Sequence, residues 1–384
     1  MPEPKLRPVR GSVSVAEPPE LRVGSYNPSL DGLRALAVLA VCAYHMSALT
    51  TGYIGVDLFL VLSGFLITSL MLAEWAGTGA ISIPAFYVRR AYRLLPAFYA
   101  FVIVGAVLVL LLRSGERRNV FMSDALSALL YYANYWRVFH QATESSWLGH
   151  VWSLSLEEQF YVVWPVCLAW LCRRPRLRAE LPRILLLATL VIMLWRNVLI
   201  AWGVTPARLY FGLDTRADAL LLGCALGAFK HNGYQLRAGT SPSAAGRWLP
   251  KIAAKVGPFA LLCLALITTC NADPDHGFSW LNRGGYTLVA LLAGVVVLSV
   301  EGPHTNWWTQ LLASRPLSGL GRISYGFYLW HYPVTAIGTR LVAPVSLGAA
   351  YATTVAISAA LAALSFKWIE RPAQLRRPPW AASH

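Results

Sequence analysis

An arginine and a histidine share one helical face inside a segment that is otherwise apolar enough to cross a bilayer. The segment reads LRALAVLAVCAYHMSAL from Leu33 to Leu49, and Arg34 and His45 lie eleven residues apart within it. At about 1.5 Å of rise per residue, a helix carries His45 roughly 16 Å beyond Arg34. If Arg34 lies at a membrane surface, we expect His45 near mid-depth, where a neutral imidazole can take a proton from a hydroxyl.

The alternative is a core histidine that is hydrogen-bonded to a neighbouring helix. Ionisable groups inside a membrane are costly, however, so a functional role is the default hypothesis for them. The pattern therefore predicts that Arg34 and His45 are catalytic residues.

Charged residues at the ends of two other apolar segments predict contacts with a substrate. Asp57 opens the second apolar segment and can pair with a base or with Arg216. Asp214, Arg216 and Asp218 form an alternating cluster of acids and a base at the start of a later segment. We predict that Asp57, Arg216 and Asp218 bind the substrate; structural ion pairs at helix ends are the alternative.

Two adjacent carboxylates, Glu157 and Glu158, mark the outer start of another apolar segment. They point about 100° apart on a helix, so only one of them easily faces the core. We expect Glu157 to act on a catalytic group, and Glu158 to bind the substrate or to pair with an arginine. His150, seven residues before Glu157, is a weaker candidate base that we expect to be exposed on the outer loop.

The segment ISYGFYLWHYPV, from Ile323 to Val334, combines aromatic and hydrogen-bonding side chains. Such a stripe suits the face of a sugar, so Tyr328 and His331 are predicted to bind the substrate. Aromatic girdles at membrane interfaces are the alternative explanation.

Composition indicates an integral membrane protein. The 384 residues are 56% hydrophobic and 13% charged, and the mean hydropathy is +0.50. The first thirty residues are polar, so we expect no cleavable signal peptide and a retained first span from Leu33. Six cysteines without a CxxC spacing support neither a disulfide framework nor a metal site. The net charge of +15 is spread in short clusters between apolar segments, which indicates membrane orientation and not nucleic-acid binding.

Hydropathy predicts an all-α polytopic protein with about ten transmembrane helices. The predicted spans lie near 32–50, 54–74, 96–112, 158–172, 184–202, 217–229, 256–270, 285–300, 323–341 and 346–366. With both termini in the cytoplasm, 23 of the 33 Lys and Arg residues fall on the cytoplasmic side and eight outside. This bias predicts a cytoplasmic (plasma) membrane location in that orientation. We expect residues 122–139 to form an amphipathic or re-entrant piece at the outer face, because a full span there would invert the second half of the map.

The domain prediction is a single membrane domain over residues 29–371. A basic cytoplasmic N-terminus over 1–28 precedes it, and a cytoplasmic tail over 372–384 follows; we expect both ends to be flexible. Because the chain ends at His384 after a basic tail, we also expect the membrane domain to act alone or with a separate partner.

Six motifs, in order from about residue 29 to 333, resemble the acyltransferase-3 family of membrane O-acyltransferases. They read LDGLRALAVLAVCAYH, GYIGVDLFLVLSGFLIT, FYVRRAYRLLPAFY, WSLSLEEQFYVVWP, DTRADALLLG and ISYGFYLWHYPV. The family's Arg-x10-His motif falls on Arg34 and His45, and its Arg-x-x-Arg motif on Arg90 and Arg93. The resemblance implies about ten spans and transfer of an acyl group from cytoplasmic acyl-CoA to a hydroxyl, usually on a sugar of a glycan, lipid or natural product.

The chemistry of such a transfer fits these residues. Attack on a thioester needs a base, oxyanion donors and cationic anchors for the CoA phosphates. Arg90 and Arg93, with Arg89, can provide a fork for phosphates just before the third span, although ordinary positive-inside flanking explains such a run equally simply. We expect acyl-CoA, with acetyl-CoA as its commonest form, to be a donor substrate, with no permanently bound cofactor.

A proton-coupled transporter or flippase is the alternative function. Buried His, Arg and Asp side chains are what a proton relay uses, but no inverted halves are visible in the sequence. The expected partners are therefore acyl-CoA, a sugar or glycan acceptor and membrane lipid, with no nucleic acid.

Overall fold

The computed structural model describes residues 26–140, 146–239, 244–270, 280–301, 306–341 and 346–382, and within these ranges it is helical without any strand. The all-α prediction is confirmed. The α-helices are α1 Pro28–His45, α2 Gly55–Thr78, α3 Ile83–Leu112, α4 Glu116–Leu129, α5 Ala133–Phe139, α6 Trp152–Cys172, α7 Pro175–Ala179, α8 Leu181–Ala201, α9 Pro206–Phe211, α10 Leu213–Gly239, α11 Ala244–Ile267, α12 Tyr286–Val300, α13 Trp307–Leu312, α14 Arg315–Arg322, α15 Ser324–Leu341, α16 Leu347–Ser365, α17 Arg371–Leu375 and α18 Pro379–Ala382. Short 3₁₀ turns at Gly52–Ile54 and Gly149–Val151 precede α2 and α6, and π-helical turns at Leu281–Gly285 and Phe366–Glu370 adjoin α12 and α16.

Five helical segments are long and apolar enough to cross a membrane. They are Gly52–Thr78, Ile83–Leu112, Leu181–Ala201, Leu281–Val300 and Leu347–Leu375. Large apolar side chains are exposed along the outer faces of two of them, such as Leu111 on α3 and Val191 on α8. Exposed apolar faces of this extent match a lipid environment, so the protein is a membrane protein. Each of the ten predicted spans lies on a helix, but by length and hydropathy the described residues support five.

Helix α1 begins and ends with recognisable caps. The side chain of Asn27 accepts a hydrogen bond from the Ser29 backbone, and Pro28 occupies the first turn. At the other end Ser47 adopts a positive φ of 58°, and the Ala48 N–H donates to the Ala43 carbonyl in a Schellman arrangement. His45 is thus the last residue of α1, not a residue in the middle of a longer helix as expected.

Two other predicted helix starts are too late. Ser82 caps α3 with Pro84 in the first turn, so α3 begins at Ile83 and the arginines at 89, 90 and 93 lie inside the helix. Similarly, α6 begins at Trp152, so Glu157 and Glu158 lie in its second turn and not at its outer start. In both cases the first turns of the helix contain polar residues, so their hydropathy is lower than that of a membrane span. The prediction therefore began each helix too late.

The segment 122–139 divides into α4 and α5, which have 14 and 7 residues. Both are shorter than the roughly 20 residues that a spanning helix needs, in agreement with a segment that does not cross the membrane. The C-terminal tail, through residue 382, includes α17 and α18, and Ala381 is fully buried. The N-terminal residues 1–25 and the last two residues lie outside the described ranges.

Glycines bring α2 close to the helices on either side of it. A Cβ on Gly55 would lie 2.4 Å from the Ala37 carbonyl oxygen of α1, and one on Gly64 would lie 2.1 Å from the Leu220 carbonyl oxygen of α10. Any larger residue at either position would push the backbones apart. Helix α2 therefore forms the centre of the bundle, with charged residues near its first turn and a cavity along its other face.

Candidate active site

A cavity of about 490 Å³ lies among α2, α3, α6, α15 and the C-terminal helices. It brings together many of the residues singled out in the sequence. Six arginines and three glutamates line it: Arg34, Arg89, Arg90, Arg93, Arg322 and Arg377, with Glu157, Glu158 and Glu370. The excess of arginine makes the cavity suited to a ligand with several negative charges.

The three arginines of α3 differ in how they are paired. Arg89 donates to Glu74 at 3.0 Å, and Arg90 pairs with Glu158 at 3.4 Å. The Arg90 guanidinium also stacks on the Tyr161 ring, 3.4 Å from its centroid. Arg93 forms no ion pair with any described residue and is exposed. Arg93 is therefore the guanidinium of this group that is most available to an anionic ligand.

Arg34 lies beside the same cavity, with its nearest carboxylate, that of Asp31, at 3.8 Å. At that distance the pair is a loose electrostatic contact and not a hydrogen bond. The structure thus places Arg34 with the arginine group of α3, and away from His45 at the opposite end of α1.

Glu157 is held in the cavity wall by hydrogen bonds. Its Oε2 accepts from the Ser63 hydroxyl at 3.0 Å and from the Tyr161 hydroxyl at 2.7 Å. Ser63 belongs to α2 and Tyr161 to α6, so the carboxylate links two walls of the cavity. Glu157 makes no hydrogen bond to His45, although it lies in the same cavity as the arginines.

Ser153 and Tyr328 line the cavity at the part that we call its inner end, and their hydroxyls are hydrogen-bonded to each other. The Tyr328 hydroxyl donates to the backbone carbonyl of His150 at 2.7 Å, and the Ser153 hydroxyl lies 2.7 Å from the Tyr328 oxygen. A phenol has a single proton, so the Ser153 hydroxyl must be the donor in the second bond. Through these bonds Tyr328, which lines the cavity, also contacts the backbone of His150.

Tyr328 also belongs to a group that we call the histidine cluster: His45, His150, His331, Tyr328 and Tyr332. His45 Nδ1 lies 2.9 Å from His331 Nε2, and His331 Nδ1 lies 2.6 Å from the Tyr328 carbonyl oxygen. The carbonyl can only accept, so His331 Nδ1 is the protonated nitrogen and a neutral His331 accepts at Nε2. His45 must then donate from Nδ1, which leaves its Nε2 with a lone pair.

This arrangement gives His45 the tautomer that a general base needs. Nε2 has no hydrogen-bond partner among the described residues, and the His45 side chain is only partly buried, although it does not itself line the cavity. His331, which the sequence predicts to bind the substrate, accepts the hydrogen bond from His45 at its Nε2. No group of three or more His, Cys, Asp and Glu residues within the described ranges could hold a metal ion.

His150 is buried, with 2% of its surface exposed, and not exposed as expected. Neither of its ring nitrogens has a hydrogen-bond partner among the described residues. Its ring centroid lies 5.2 Å from that of His331 and 5.0 Å from that of Tyr332. Sequence reasoning underrated this residue because its neighbours come from a distant part of the chain, and no local spacing indicates them.

Asp57, Arg216 and Asp218 belong to a separate group, the ion network, which also includes Arg196. Arg216 pairs with Asp57 at 2.7 Å and Arg196 with Asp218 at 2.5 Å; all four side chains are almost fully buried. None of them lines the cavity. Their packing matches the structural alternative better than the predicted substrate contacts.

Two neighbours complete the description of this region. The Arg216 guanidinium lies 3.9 Å from the centroid of the Tyr286 ring, which stabilises a buried cation. Asp214, the third acid of the sequence cluster, instead pairs with Arg208 at 2.8 Å outside the network. The hydrogen bond to Asp214 raises the pKa of Arg208, which lies in the short helix α9.

Comparison with known proteins identifies the family of the chain. Residues 27–368 match the model of a family described as an acyltransferase domain, the acyltransferase-3 family, so the chain belongs to that family. The protein is an acyltransferase, as the motifs implied, and family membership gives no support to the transporter alternative.

Several relatives are similar over most of this chain. It is 35% identical over 360 residues to the peptidoglycan O-acetyltransferase OatA of Listeria monocytogenes, over 90% of this chain and 56% of the relative. It is 37% identical over 358 residues to a putative peptidoglycan O-acetyltransferase, YrhL, of Bacillus subtilis, over 90% of this chain and 55% of the relative. The chain thus spans about half the length of the curated relatives it matches. No solved structure matches the chain.

Proposed function

We propose that the protein is an O-acyltransferase of the cytoplasmic membrane that moves an acetyl group from acetyl-CoA to a hydroxyl of a glycan, with peptidoglycan as the first candidate acceptor. One observation carries the proposal: Tyr328 lines an arginine-rich cavity and packs against His331, and the hydrogen bond from His45 to His331 leaves Nε2 of His45 free to act as a base. The names of the relatives support the choice of acceptor, and the charge of the cavity supports the choice of donor.

The donor fits the cavity by charge. CoA carries a pyrophosphate and a 3′-phosphate, and guanidinium groups bind phosphates through charge-assisted hydrogen bonds. Of the cavity arginines on α1 and α3, Arg93 and Arg34 have the weakest ties to protein carboxylates, so they bind the phosphates, while Arg90 and Arg89 are held by Glu158 and Glu74. In this arrangement the thioester extends toward Ser153 and Tyr328 at the inner end.

The chemical step uses His45. Its Nε2 takes the proton of the acceptor hydroxyl, the hydroxyl oxygen attacks the acyl carbonyl carbon, and the carbon–sulfur bond breaks. The proton then passes to the departing thiolate, so the products are the acetyl ester and CoA. Glu157 keeps the cavity wall in place through Ser63 and Tyr161.

The proposed topology has ten spans and both termini in the cytoplasm. Helix α1 runs from Arg34 to His45, so the arginine end of the cavity faces the cytoplasm, where acyl-CoA is made, and the histidine cluster lies toward the outer face. Peptidoglycan lies on that outer side. The bias of basic residues toward the proposed cytoplasmic segments supports the orientation.

The orientation is tested by labelling single cysteines in intact cells. In a background in which the exposed Cys167 and Cys270 are replaced by Ser, we expect Glu116→Cys to react with a membrane-impermeant maleimide, and Arg178→Cys to react only after lysis. Labelling of Arg178→Cys from outside would place the second half of the chain in the opposite orientation.

The function is tested with purified protein, labelled acetyl-CoA and peptidoglycan fragments. We expect His45→Gln to lower transfer by a factor of roughly 10² to 10⁴ while the protein stays folded and still binds acetyl-CoA. His140→Gln is a matched control, because His140 is exposed and stacks on Trp136 away from the cluster. Transfer by His45→Gln within a few-fold of the parent would contradict the base assignment. No transfer to any glycan by the parent would contradict the acceptor class.

A further inference from the structure

We propose that His150 is a further catalytic residue, and that its ring N–H donates a hydrogen bond to the carbonyl oxygen of the acyl group during transfer. The inference rests on the proposed function, because it assumes that His45 is the base and that an acyl thioester is the donor. It assigns a chemical role to a side chain that the steps derived above leave unused.

The argument begins with the hydrogen-bonding capacity that the histidine cluster leaves open. His331 uses both ring nitrogens, one toward the Tyr328 carbonyl and the other toward His45. His45 keeps one acceptor, Nε2. His150 keeps both ring nitrogens, which in a neutral imidazole are one donor and one acceptor.

A buried imidazole without partners is costly, so its capacity is normally used by water or a ligand. The side chain of His150 is 2% exposed, and its immediate neighbours are mostly rings: Phe101, Tyr328, His331 and Tyr332. The backbone carbonyls of Tyr328 and Leu329 lie near the imidazole, but neither forms a hydrogen bond of ordinary geometry with its nitrogens. A polar group that enters the cluster is therefore the natural partner of the His150 N–H.

The open positions match the two reacting groups of an acyl transfer. The acceptor hydroxyl needs a base, which His45 Nε2 supplies. The carbonyl oxygen gains negative charge as the hydroxyl oxygen attacks the carbonyl carbon, and it needs a donor. Among the imidazoles of the cluster, only His150 has an N–H that is not already committed.

The position of His150 fits this role. The Tyr332 ring lies near both imidazoles, 4.7 Å from the His45 centroid and 5.0 Å from that of His150. The backbone carbonyl of His150 also accepts from the Tyr328 hydroxyl at the inner end of the cavity. His150 thus contacts Tyr328, which lines the cavity proposed for the donor, and its ring belongs to the same cluster as His45.

The bonds balance without any additional reactant. The acceptor oxygen–hydrogen bond and the thioester carbon–sulfur bond break, and the ester bond and the thiol S–H bond form. His45 carries the proton from the acceptor hydroxyl oxygen to the sulfur atom of the departing thiolate. His150 only donates a hydrogen bond to the oxygen that becomes negative, so it starts and ends the cycle in the same protonation state.

The test compares His150→Phe, which keeps a ring but has no donor, with His150→Gln, whose amide can donate. We expect kcat to fall by a factor of about 10² to 10³ in the Phe variant, because the donor to the oxyanion is lost. The Kd of this variant for acetyl-CoA should change less than twofold. The kcat of the Gln variant should be at least tenfold higher than that of the Phe variant. His150→Met replaces the Phe variant if the latter does not fold. Equal activity of the donor and non-donor variants, or a kcat within threefold of the parent, would overturn the proposal.

A spectroscopic measurement separates catalysis from packing. With ¹³C-carbonyl acetyl-CoA and acceptor bound to a His45→Gln variant, which turns over slowly, we expect the carbonyl stretch at a lower frequency than in water. Adding His150→Phe should remove that shift; an unchanged stretch in the double variant would rule out a hydrogen bond from His150. If His45→Gln transfers acetyl groups like the parent and Arg93→Ala binds acetyl-CoA like the parent, the proposed function itself fails. If they behave as expected and His150→Phe stays active, only this inference fails.

Discussion

The cavity and the ion network both bring arginines and carboxylates together, but they do so in different ways. In the ion network each guanidinium pairs with one carboxylate, and both pairs are buried away from solvent, with Arg196 and Arg216 fully buried. In the cavity, six arginines face three glutamates, and Arg93 has no described carboxylate partner.

The difference shows how to separate structural charges from functional ones. A matched, buried pair holds helices together, because removing one partner leaves an uncompensated charge in an apolar interior. Surplus charge at an accessible surface has no such structural role and is available to a ligand. Residue type alone does not make this distinction, since the sequence offers the same Arg and Asp or Glu residues in both regions.

The largest expected effect comes from breaking the ion network. Arg216→Met leaves Asp57 buried without its cation, so we expect a loss of about 3–5 kcal/mol in the free energy of unfolding. Thermal unfolding in detergent measures it. The double variant Arg216→Met/Asp57→Leu removes both charges and should recover most of the loss.

The same variants test whether the network binds substrate. We expect the double variant, once folded, to keep the KM of the parent for the glycan acceptor. A KM raised more than tenfold at normal stability would assign Asp57 or Arg216 to the acceptor site and remove the contrast between the two regions.

A smaller effect is expected in the cavity, on binding and not on folding. Arg93→Ala removes charge-assisted hydrogen bonds worth about 1.5–3 kcal/mol, so acetyl-CoA should bind roughly ten to a hundred times more weakly. Arg93→Lys keeps the charge but loses the planar fork, and its Kd should lie between those of Ala and the parent. Titration in detergent gives the Kd values.

The double variants Arg90→Lys/Arg93→Lys and Arg90→Ala/Arg93→Ala sharpen this test. We expect both to insert normally, with weaker donor binding in the Ala pair. If both bind acetyl-CoA like the parent, the arginines of α3 only orient the chain, and the donor site lies elsewhere.

The smallest effect is expected at an exposed ion pair. Arg183 pairs with Glu180 at 2.7 Å, but the two side chains are 78% and 51% exposed. Because water and salt screen such pairs, Arg183→Ala should leave stability and donor affinity close to those of the parent. A loss comparable with that of Arg216→Met would mean that burial is not what distinguishes the ion network.

Much of the fold could be predicted from the sequence because hydropathy and helix signals are local. Each of the ten apolar segments lies on a helix, and the segment 122–139 forms two helices too short to span. The errors fall at helix ends. The predicted positions of His45, Arg90 and Glu157 within their helices are wrong because hydropathy did not indicate the turn at Ser47 or the polar first turns of α3 and α6. Helix capping depends on backbone geometry that hydropathy does not report.

The sequence by itself determined that this is a helical membrane acyltransferase whose first apolar segment holds Arg34 and His45 eleven residues apart, since composition, spacing and motifs are properties of the chain. Only the tertiary structure decided which of its charged side chains are buried in ion pairs and which line a cavity. It also decided the tautomer of His45, through a hydrogen bond to His331 across 286 residues of sequence, and the burial of His150. These features depend on contacts between distant segments, and such contacts exist only after the helices have packed.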